Sequence, residues 1–357
     1  MTHWLVTGGA GFIGSNFVRA SVGHRCQRLV NVDKLTYAAC TATVDELAGL
    51  PGYALVQADI QQRDVLLQSL REHQITTVVN FAAESHVDRS IEEPDAFVRT
   101  NVLGTQALLD ACLAYWRELP EEQAKQFRVL HVSTDEVYGS LGAEGAFTET
   151  SPFQPNSPYA ASKAASDHMA RAYFHTYGLP VMVSHCSNNY GPYQFPEKLI
   201  PLMILKAWRG DALPIYGDGL QVRDWLHVDD HVEALWRMLE AAQPGSEYVI
   251  GGNCERTNRQ VVEAICSDLD QRSPLQRDGQ TIARADLMQR VTDRPGHDRR
   301  YAIDASRLRD ELGWQPQRQF ETGLAQTIDW YLSAQEWIAA AQGGGYAGQR
   351  LGVERSA

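Results

Sequence analysis

Short apolar, β-branched runs alternate along the first half of the chain with longer stretches whose apolar positions recur every three or four residues. The runs predict strands over residues 4–7, 29–33, 53–57, 77–81, 129–133 and 181–186; the longer stretches predict helices near 12–21, 64–73, 97–117 and 158–177. Strands apolar on both faces, separated by amphipathic helices, imply an α/β chain with a doubly wound parallel sheet covered by helices. After Asn188 the pattern changes: Pro and Gly cluster, segments shorten, and helices over 229–242 and 258–269 stand between irregular loops. This reads as residues 1–187 forming one domain and 188–340 a smaller C-terminal α/β substrate domain that covers the sheet's carboxyl edge. Some segments of the second are expected to return to the first, and 341–357 form a Gly-rich tail.

Composition narrows the partners. Of 357 residues, 32 are Lys or Arg against 44 Asp or Glu, a formal charge of −12 with no basic block, which argues against gripping nucleic acid or anionic lipid. There is no basic leader followed by an apolar stretch, and no 18-residue apolar run. The six cysteines are scattered without a C-x-x-C pair, so reduced thiols of a cytoplasmic protein are expected, with no metal site.

Gly8-Gly9-Ala10-Gly11-Phe12-Ile13-Gly14 follows the first strand and opens the first helix. Glycines there permit a tight turn and close approach of backbone to a pyrophosphate at a helix N-terminus. Asp33 ends the second strand, where a carboxylate accepts hydrogen bonds from a ribose diol and repels a 2′-phosphate, favouring NAD over NADP. These features make the sheet Rossmann-type. Farther on, Tyr159 and Lys163 lie four apart on one face of a helix. A phenol is a poor base near pKa 10, but a neighbouring ammonium and an oxidised nicotinamide both favour phenolate.

Together these residues resemble the extended short-chain dehydrogenase/reductase family, and the resemblance covers essentially the whole chain. The stretch His131-Val132-Ser133-Thr134-Asp135-Glu136-Val137-Tyr138-Gly139 is similar to the signature of the dTDP-glucose 4,6-dehydratases within it. The same group is matched by Asp33-Lys34-Leu35-Thr36-Tyr37, Ala82-Ala83-Glu84-Ser85-His86, Asn188-Asn189-Tyr190-Gly191-Pro192, Lys198-Leu199-Ile200-Pro201, by Arg223 to Asp229 and by Asp293 to Asp298. The resemblance implies a catalytic set of Thr134, Asp135, Glu136, Tyr159 and Lys163. Tyr159 would accept the 4-hydroxyl proton, Glu136 act as base at C5, Asp135 as acid at C6, and Thr134 orient the 4-hydroxyl. Oxidation at C4 makes the C5 proton acidic, which explains why two adjacent acids serve the elimination. Asp135 must be protonated when the C6 hydroxyl leaves, so its pKa is expected to be raised.

Cofactor contacts are implied at Gly8, Gly11, Phe12, Ile13, Gly14, Asp33, Lys34, Leu35, Thr36, Asp59, Ile60, Ala82, Ala83, Ser85, Thr100, Tyr159, Lys163 and Asn189. Substrate contacts are implied at Ser85, Thr134, Asn188, Lys198, Leu199, Pro214, Ile215, Tyr216, Arg223, Asn258, Asp293, Arg294 and His297, with Arg223 and Arg294 in irregular segments suited to phosphate. The family usually continues Gly-Asn where this chain has Ala39-Cys40, which bears on the adenosine side. Asp229-Asp230 is expected to cap a helix. The helices over 97–117 and 158–177 have two readings: their apolar residues (Val98, Val102, Leu109, Cys112, Met169, Ala172, Tyr173) pack on the sheet, or both helices build a four-helix homodimer contact. A UDP- or CDP-glucose enzyme, a 4-epimerase or a non-catalytic NAD-sensing protein shares much of this pattern; the Asp135-Glu136 pair argues against the epimerase.

Overall fold

The computed structural model describes residues 2–343. Strands β1 (His3–Thr7), β2 (Arg28–Asp33), β3 (Tyr53–Gln57), β4 (Thr77–Asn80), β5 (Arg128–Thr134) and β6 (Val181–Cys186) form within one residue of their expected limits. After β7 (Asn188–Tyr190), β8 (Leu213–Tyr216) and β9 (Val222–His227), strand β10 (Glu247–Ile250) returns to pair with β6. The sheet runs β10-β6-β5-β4-β1-β2-β3, with every neighbouring pair parallel. All six residues of β6 are buried, because helices cover both faces. Chain order reverses on either side of β1, which opens a crevice at the carboxyl ends of β1 and β4.

Helix Pro158–Tyr177 matches its expected limits and stops at left-handed Gly178, φ +75°. The helix expected over 97–117 is interrupted. Pro94–Phe97 leads into a wider i→i+5 segment, Val98–Gly104, and then a regular helix, Thr105–Glu118. Two contacts fix the widening. Asn101 bonds the Glu84 amide (2.8 Å), the Glu84 carbonyl (3.0 Å) and Ser162 Oγ (2.8 Å), while Gly104 rides against Ile60, whose Cγ2 would lie 2.4 Å from any Cβ. Along these two helices Leu109, Cys112 and Tyr173 bury against the sheet, but Val98 and Ala172 face outward.

The second body is built on a three-stranded sheet, β7-β9-β11 with β11 at Glu255–Thr257, and on β8 paired with Met288–Val291. Helices Leu199–Arg209, Asn258–Arg272 and Phe320–Ser333 close around its own core, centred on Ile204, Ile265 and Ile328. Helix Val228–Ala241 belongs to the first body, where Trp236 Nε1 donates to Ser21 Oγ at 2.9 Å. Its cap is not the acidic pair expected: His227 accepts from the Asp229 amide at 3.2 Å, and buried Asp230 accepts from Arg318 at 2.7 Å. Helix Gln335–Gln342 lies back on helix Thr41–Ala48 through Trp337 Nε1 and Thr43 Oγ1, 2.7 Å apart. It takes up the first two positions of the expected tail; residues 344–357 lie outside the described residues.

Candidate active site

The crevice opens into a cavity of about 310 Å³ that runs from the glycine turn to Tyr159. Gly8 has φ +71°, and a Cβ there would meet the Ala82 backbone at 2.6 Å, so the first turn admits only glycine. Gly11 differs: a Cβ there would find only Gly8 O, at 3.4 Å, so the added atom would fill the cradle and not the protein. Helix Phe12–Ser21 starts at Gly11 with no side-chain cap, leaving its first amides to a ligand. Asp33 spans the turn, accepting from the Ala10 amide (2.9 Å) and the Leu35 amide (2.8 Å). Burial raises its pKa and those amides oppose the rise. Each carboxylate oxygen keeps a further lone pair for a diol. Bare glycine, uncapped amides and this carboxylate suit a dinucleotide.

Lys34 Nζ pairs with Asp59 Oδ2 at 2.7 Å beside the turn. All of the expected cofactor residues line the cavity except Leu35, whose side chain is turned away by a left-handed backbone (φ +56°) that places its amide on Asp33. Ala39 lines it as well, without a positive φ; its amide donates to Thr36 O at 2.9 Å. Cys40 is buried and its thiol reaches Trp337 O, so this pair ties the adenosine-side loop to helix Gln335–Gln342.

At the other end, β5 delivers Thr134 into the cavity and the chain tightens into one helical turn, Asp135–Tyr138. Thr134 Oγ1 accepts from the Glu136 amide at 3.3 Å and donates to Asp135 Oδ1 at 3.3 Å. Tyr159 lines the same end of the cavity. Helix Pro158–Tyr177 is started by Ser157, whose Oγ accepts from the Ala160 amide at 3.1 Å, with Pro158 at its first position. That start fixes Tyr159, and one turn later Lys163 Nζ donates to Val132 O at 2.9 Å.

Electrostatics divides the acids. Burial, then Glu136, then Asp224 push Asp135 well above the usual carboxylate range, as expected. Glu136 is also raised by enclosure, but Arg294, Arg223 and Lys198 oppose it. Tyr159 departs from expectation. Burial and the Glu136 charge push it well above an ordinary phenol, while the Thr134 hydroxyl opposes the rise. Burial pushes Lys163 down and Asp167, one turn along the helix, holds it up. The phenol is therefore neutral in the protein alone, and forming the phenolate needs positive charge from what binds.

Of the expected substrate residues, Ser85, Thr134, Asn188 and Lys198 line the cavity, with Lys198 Nζ donating to Ser85 O at 2.9 Å. The Asn188 side-chain oxygen is buried with no partner. Arg223 lies in β9 instead of an irregular segment, buried, donating to Asp298 O at 3.0 Å with its guanidinium 4.2 Å from the Tyr301 ring. Arg294 is ion-paired with Asp88 at 3.0 Å. Asp293 joins His297 (2.6 Å) to Gln221 (2.8 Å), and Gln221 O accepts the Asn258 amide at 3.0 Å. Leu199, Pro214, Ile215, Tyr216, Arg223, Asn258, Asp293, Arg294 and His297 thus stand outside the walls of the main cavity; Ile215 borders another, of about 250 Å³, with Arg259 and Arg290. Several wall residues carried no assignment: Glu84, Gln194, Phe195 and Glu197. Glu197 is buried beside Arg89 (3.6 Å) and the Tyr37 hydroxyl (3.4 Å). Its position next to Lys198 was the available signal.

The model of the GDP-mannose 4,6 dehydratase family matches residues 5–327. The dTDP-glucose 4,6-dehydratase of Xanthomonas campestris pv. campestris (strain B100) is 58% identical over 353 residues, 99% of each chain. A crystal structure of dTDP-glucose 4,6-dehydratase from Bacillus anthracis in complex with NAD has TM-score 0.83 and 45% identity, covering 96% of this chain and 100% of that one. The Streptomyces venezuelae dTDP-glucose 4,6-dehydratase with NAD and dTDP bound has TM-score 0.86 and 44% identity, covering 95% and 100%. A sheet of this order, a glycine cradle beside a Tyr-Lys helix and matches of this length leave one conclusion: the chain belongs to the GDP-mannose 4,6 dehydratase family and is similar over its whole length to that family's dTDP-glucose 4,6-dehydratases.

Proposed function

We propose that this chain is an NAD-dependent dTDP-glucose 4,6-dehydratase, a hydro-lyase that converts dTDP-glucose to dTDP-4-keto-6-deoxyglucose and water in deoxysugar synthesis. The observation that carries the reading is the adjacent Asp135 and Glu136, set beside Tyr159 in a cavity that begins at a dinucleotide cradle. Gly8, Gly11 to Gly14, Asp33, Lys34, Thr36, Asp59, Ile60, Ala82, Ala83, Ser85, Thr100 and Asn189 would hold the cofactor. NAD, when bound, supplies reversible hydride chemistry, so the hydrogen that leaves C4 is the one restored at C6. Its positive ring also offers the charge that the Tyr159 phenolate lacks in the protein alone.

The chain's own groups do the rest. Tyr159 takes the 4-hydroxyl proton, and Lys163 supports the phenolate. Glu136, steadied as a carboxylate by three cations, removes the C5 proton, exchanges it with solvent and later reprotonates C5. Asp135, kept protonated by enclosure and by its neighbours' charge, protonates the departing C6 hydroxyl. The sugar nucleotide would extend past Glu136 toward Lys198, Arg223 and Arg294, whose guanidinium and ammonium groups suit a pyrophosphate.

We further read the protein as a cytoplasmic homodimer with two working parts, residues 1–187 for the cofactor and 188–340 for the sugar nucleotide. Among the described residues no helix is long and apolar enough to cross a membrane. Ile91, Val98 and Leu103 present exposed apolar side chains on adjoining helical segments, which supports pairing through that face.

Incubation with dTDP-glucose in heavy water tests the reaction. The expected product has lost one water and carries solvent deuterium at C5. Recovery of dTDP-galactose, or of unchanged sugar, sinks the proposal. Light scattering tests the pairing: Val98→Glu with Leu103→Glu should halve the solution mass of the native protein.

A further inference from the structure

Asp33 marks the end of the cavity that suits the adenosine ribose, and the chain leaving it forms the wall there through Thr36, Ala38 and Ala39. By position in the sequence this loop belongs with the cofactor residues. By packing, its far end belongs to the second body: Cys40 is buried in that body's core with Trp337, Ile338 and Ala341, and Tyr37 and Ala42 pack against the same cluster.

The start of the loop is fixed to the first body by the Asp33–Leu35 bond and the Lys34–Asp59 pair. Its far end runs into helix Thr41–Ala48, whose N-cap is Cys40 and whose first amides receive no side-chain bond. A serine or asparagine at that position accepts such a bond, whereas a thiol is a weak acceptor. A helix of eight residues is marginal without tertiary support. Helix Gln335–Gln342 provides it. The Cys40 thiol donates to Trp337 O at 3.7 Å, and Trp337 Nε1 donates to Thr43 Oγ1 at 2.7 Å, one turn beyond the cap. Cys40, Thr43 and Trp337 are all buried. Tyr193, in the loop after β7, completes the arrangement. Its hydroxyl donates to Glu46 on the short helix (3.2 Å), and its ring lies under the guanidinium of Arg19 (3.6 Å), from the helix that starts at the glycine cradle. The same ring meets Trp337 edge-on, with 6.0 Å between centroids.

We infer that Cys40, Thr43 and Trp337 are positioning residues for the adenosine half of the cofactor: helix Gln335–Gln342 holds the loop that walls that half, in place of a side-chain cap. The second body, and not the residues around the glycine turn alone, then sets how firmly the dinucleotide is held. This rests on the assignment of NAD as the cofactor proposed above.

Calorimetric titration of the cofactor-free full chain with ADP-ribose, and separately with dTDP, tests this. ADP-ribose carries the adenosine half and the pyrophosphate without the nicotinamide. Cys40→Ala, Thr43→Val and Trp337→Phe are each expected to weaken ADP-ribose by about 5-fold, since binding must then order the loop without one hydrogen bond. Their affinity for dTDP should stay at the wild-type value. Thr43→Val combined with Trp337→Phe should lose no more than either alone, because both remove the same bond. Cys40→Ser offers an N-cap oxygen and should recover the ADP-ribose affinity lost in Cys40→Ala. Wild-type ADP-ribose affinity in Cys40→Ala and Trp337→Phe overturns the inference. So does an equal loss of dTDP affinity, which marks general loosening. A wild-type chain that binds dTDP but neither NAD nor ADP-ribose sinks the cofactor assignment itself, and the inference with it.

Discussion

Asp135 and Glu136 are neighbours in sequence and in space, yet their surroundings push them toward different protonation states. Asp135 is enclosed with like charges from Glu136 and Asp224, whereas Glu136 sees Arg294, Arg223 and Lys198. An acid and a base can thus coexist one peptide apart. Glu136→Gln removes the base but keeps the shape, so oxidation at C4 should persist while C5 exchange falls by ~10²-fold or more. Elimination at the wild-type rate in that variant would refute the assignment. Arg294→Gln withdraws a cation that lowers the Glu136 pKa. The acid limb of kcat/KM should then move to higher pH, since the carboxylate form is needed and its proton now leaves less readily. An unmoved limb places Arg294 too far away to matter. These roles were legible in the sequence because Thr134, Asp135 and Glu136 are contiguous and their side-chain types name their chemistry. Gln194 and Glu197 were not, because they stand in an irregular loop between β7 and helix Leu199–Arg209, and only the fold brings that loop to the wall.

At the scale of elements, the strands were legible because a two-faced apolar run has few other places to go. Helix Pro158–Tyr177 was marked at both ends by chemistry, Ser-Pro at its start and Gly at its stop. The widened turn at Val98–Gly104 was not. One extra residue in a turn leaves apolar spacing nearly unchanged, and its cause lies in tertiary contacts of Asn101 and Gly104. That turn sets Thr100 into the cavity. Gly104→Ala should therefore cost about 1–3 kcal/mol through overpacking against Ile60, and weaken cofactor binding as the turn shifts. Denaturant melts and NAD titration check the two parts; a stable variant with unaltered affinity removes the turn from the site's construction. Ser157→Ala separates the start of the Tyr159 helix from the chemistry proper. Loss of its cap should cost about 1 kcal/mol, and kcat should fall more than KM rises because Tyr159 sits within the first turn.

For the molecule as a whole, the charge of −12 opposes binding of polyanions without describing the interior, where buried histidines are one part of the pH response. Burial holds His86 down at about 2, His131 at about 4, His231 at about 3 and His297 at about 4. An unfolded histidine titrates near 6.5. Below that pH the unfolded chain binds protons that the folded one refuses, so the stability these residues contribute is present above about 6.5 and is lost as pH falls toward their folded values. Carboxylates raised by burial, Asp224 to about 6 among them, take up protons in the folded state and pull the other way, so the net acid response is a difference between two buried populations. One member can be isolated. His231 is fully buried, with Nδ1 3.0 Å from Asn189 Oδ1 and Nε2 without a partner, on the first body's return helix. His231→Gln keeps a donor for Asn189 and removes the titration. Relative to that variant, wild type should lose stability as pH falls below 6.5, the slope steepening toward about 1.4 kcal/mol per pH unit by pH 4.5, and the gap should be constant above pH 7.5. Urea melts at four pH values measure it; a gap that stays flat across the acid range would mean that His231 is protonated in the folded protein, and that the wall behind Asn189 is wetter than its packing indicates.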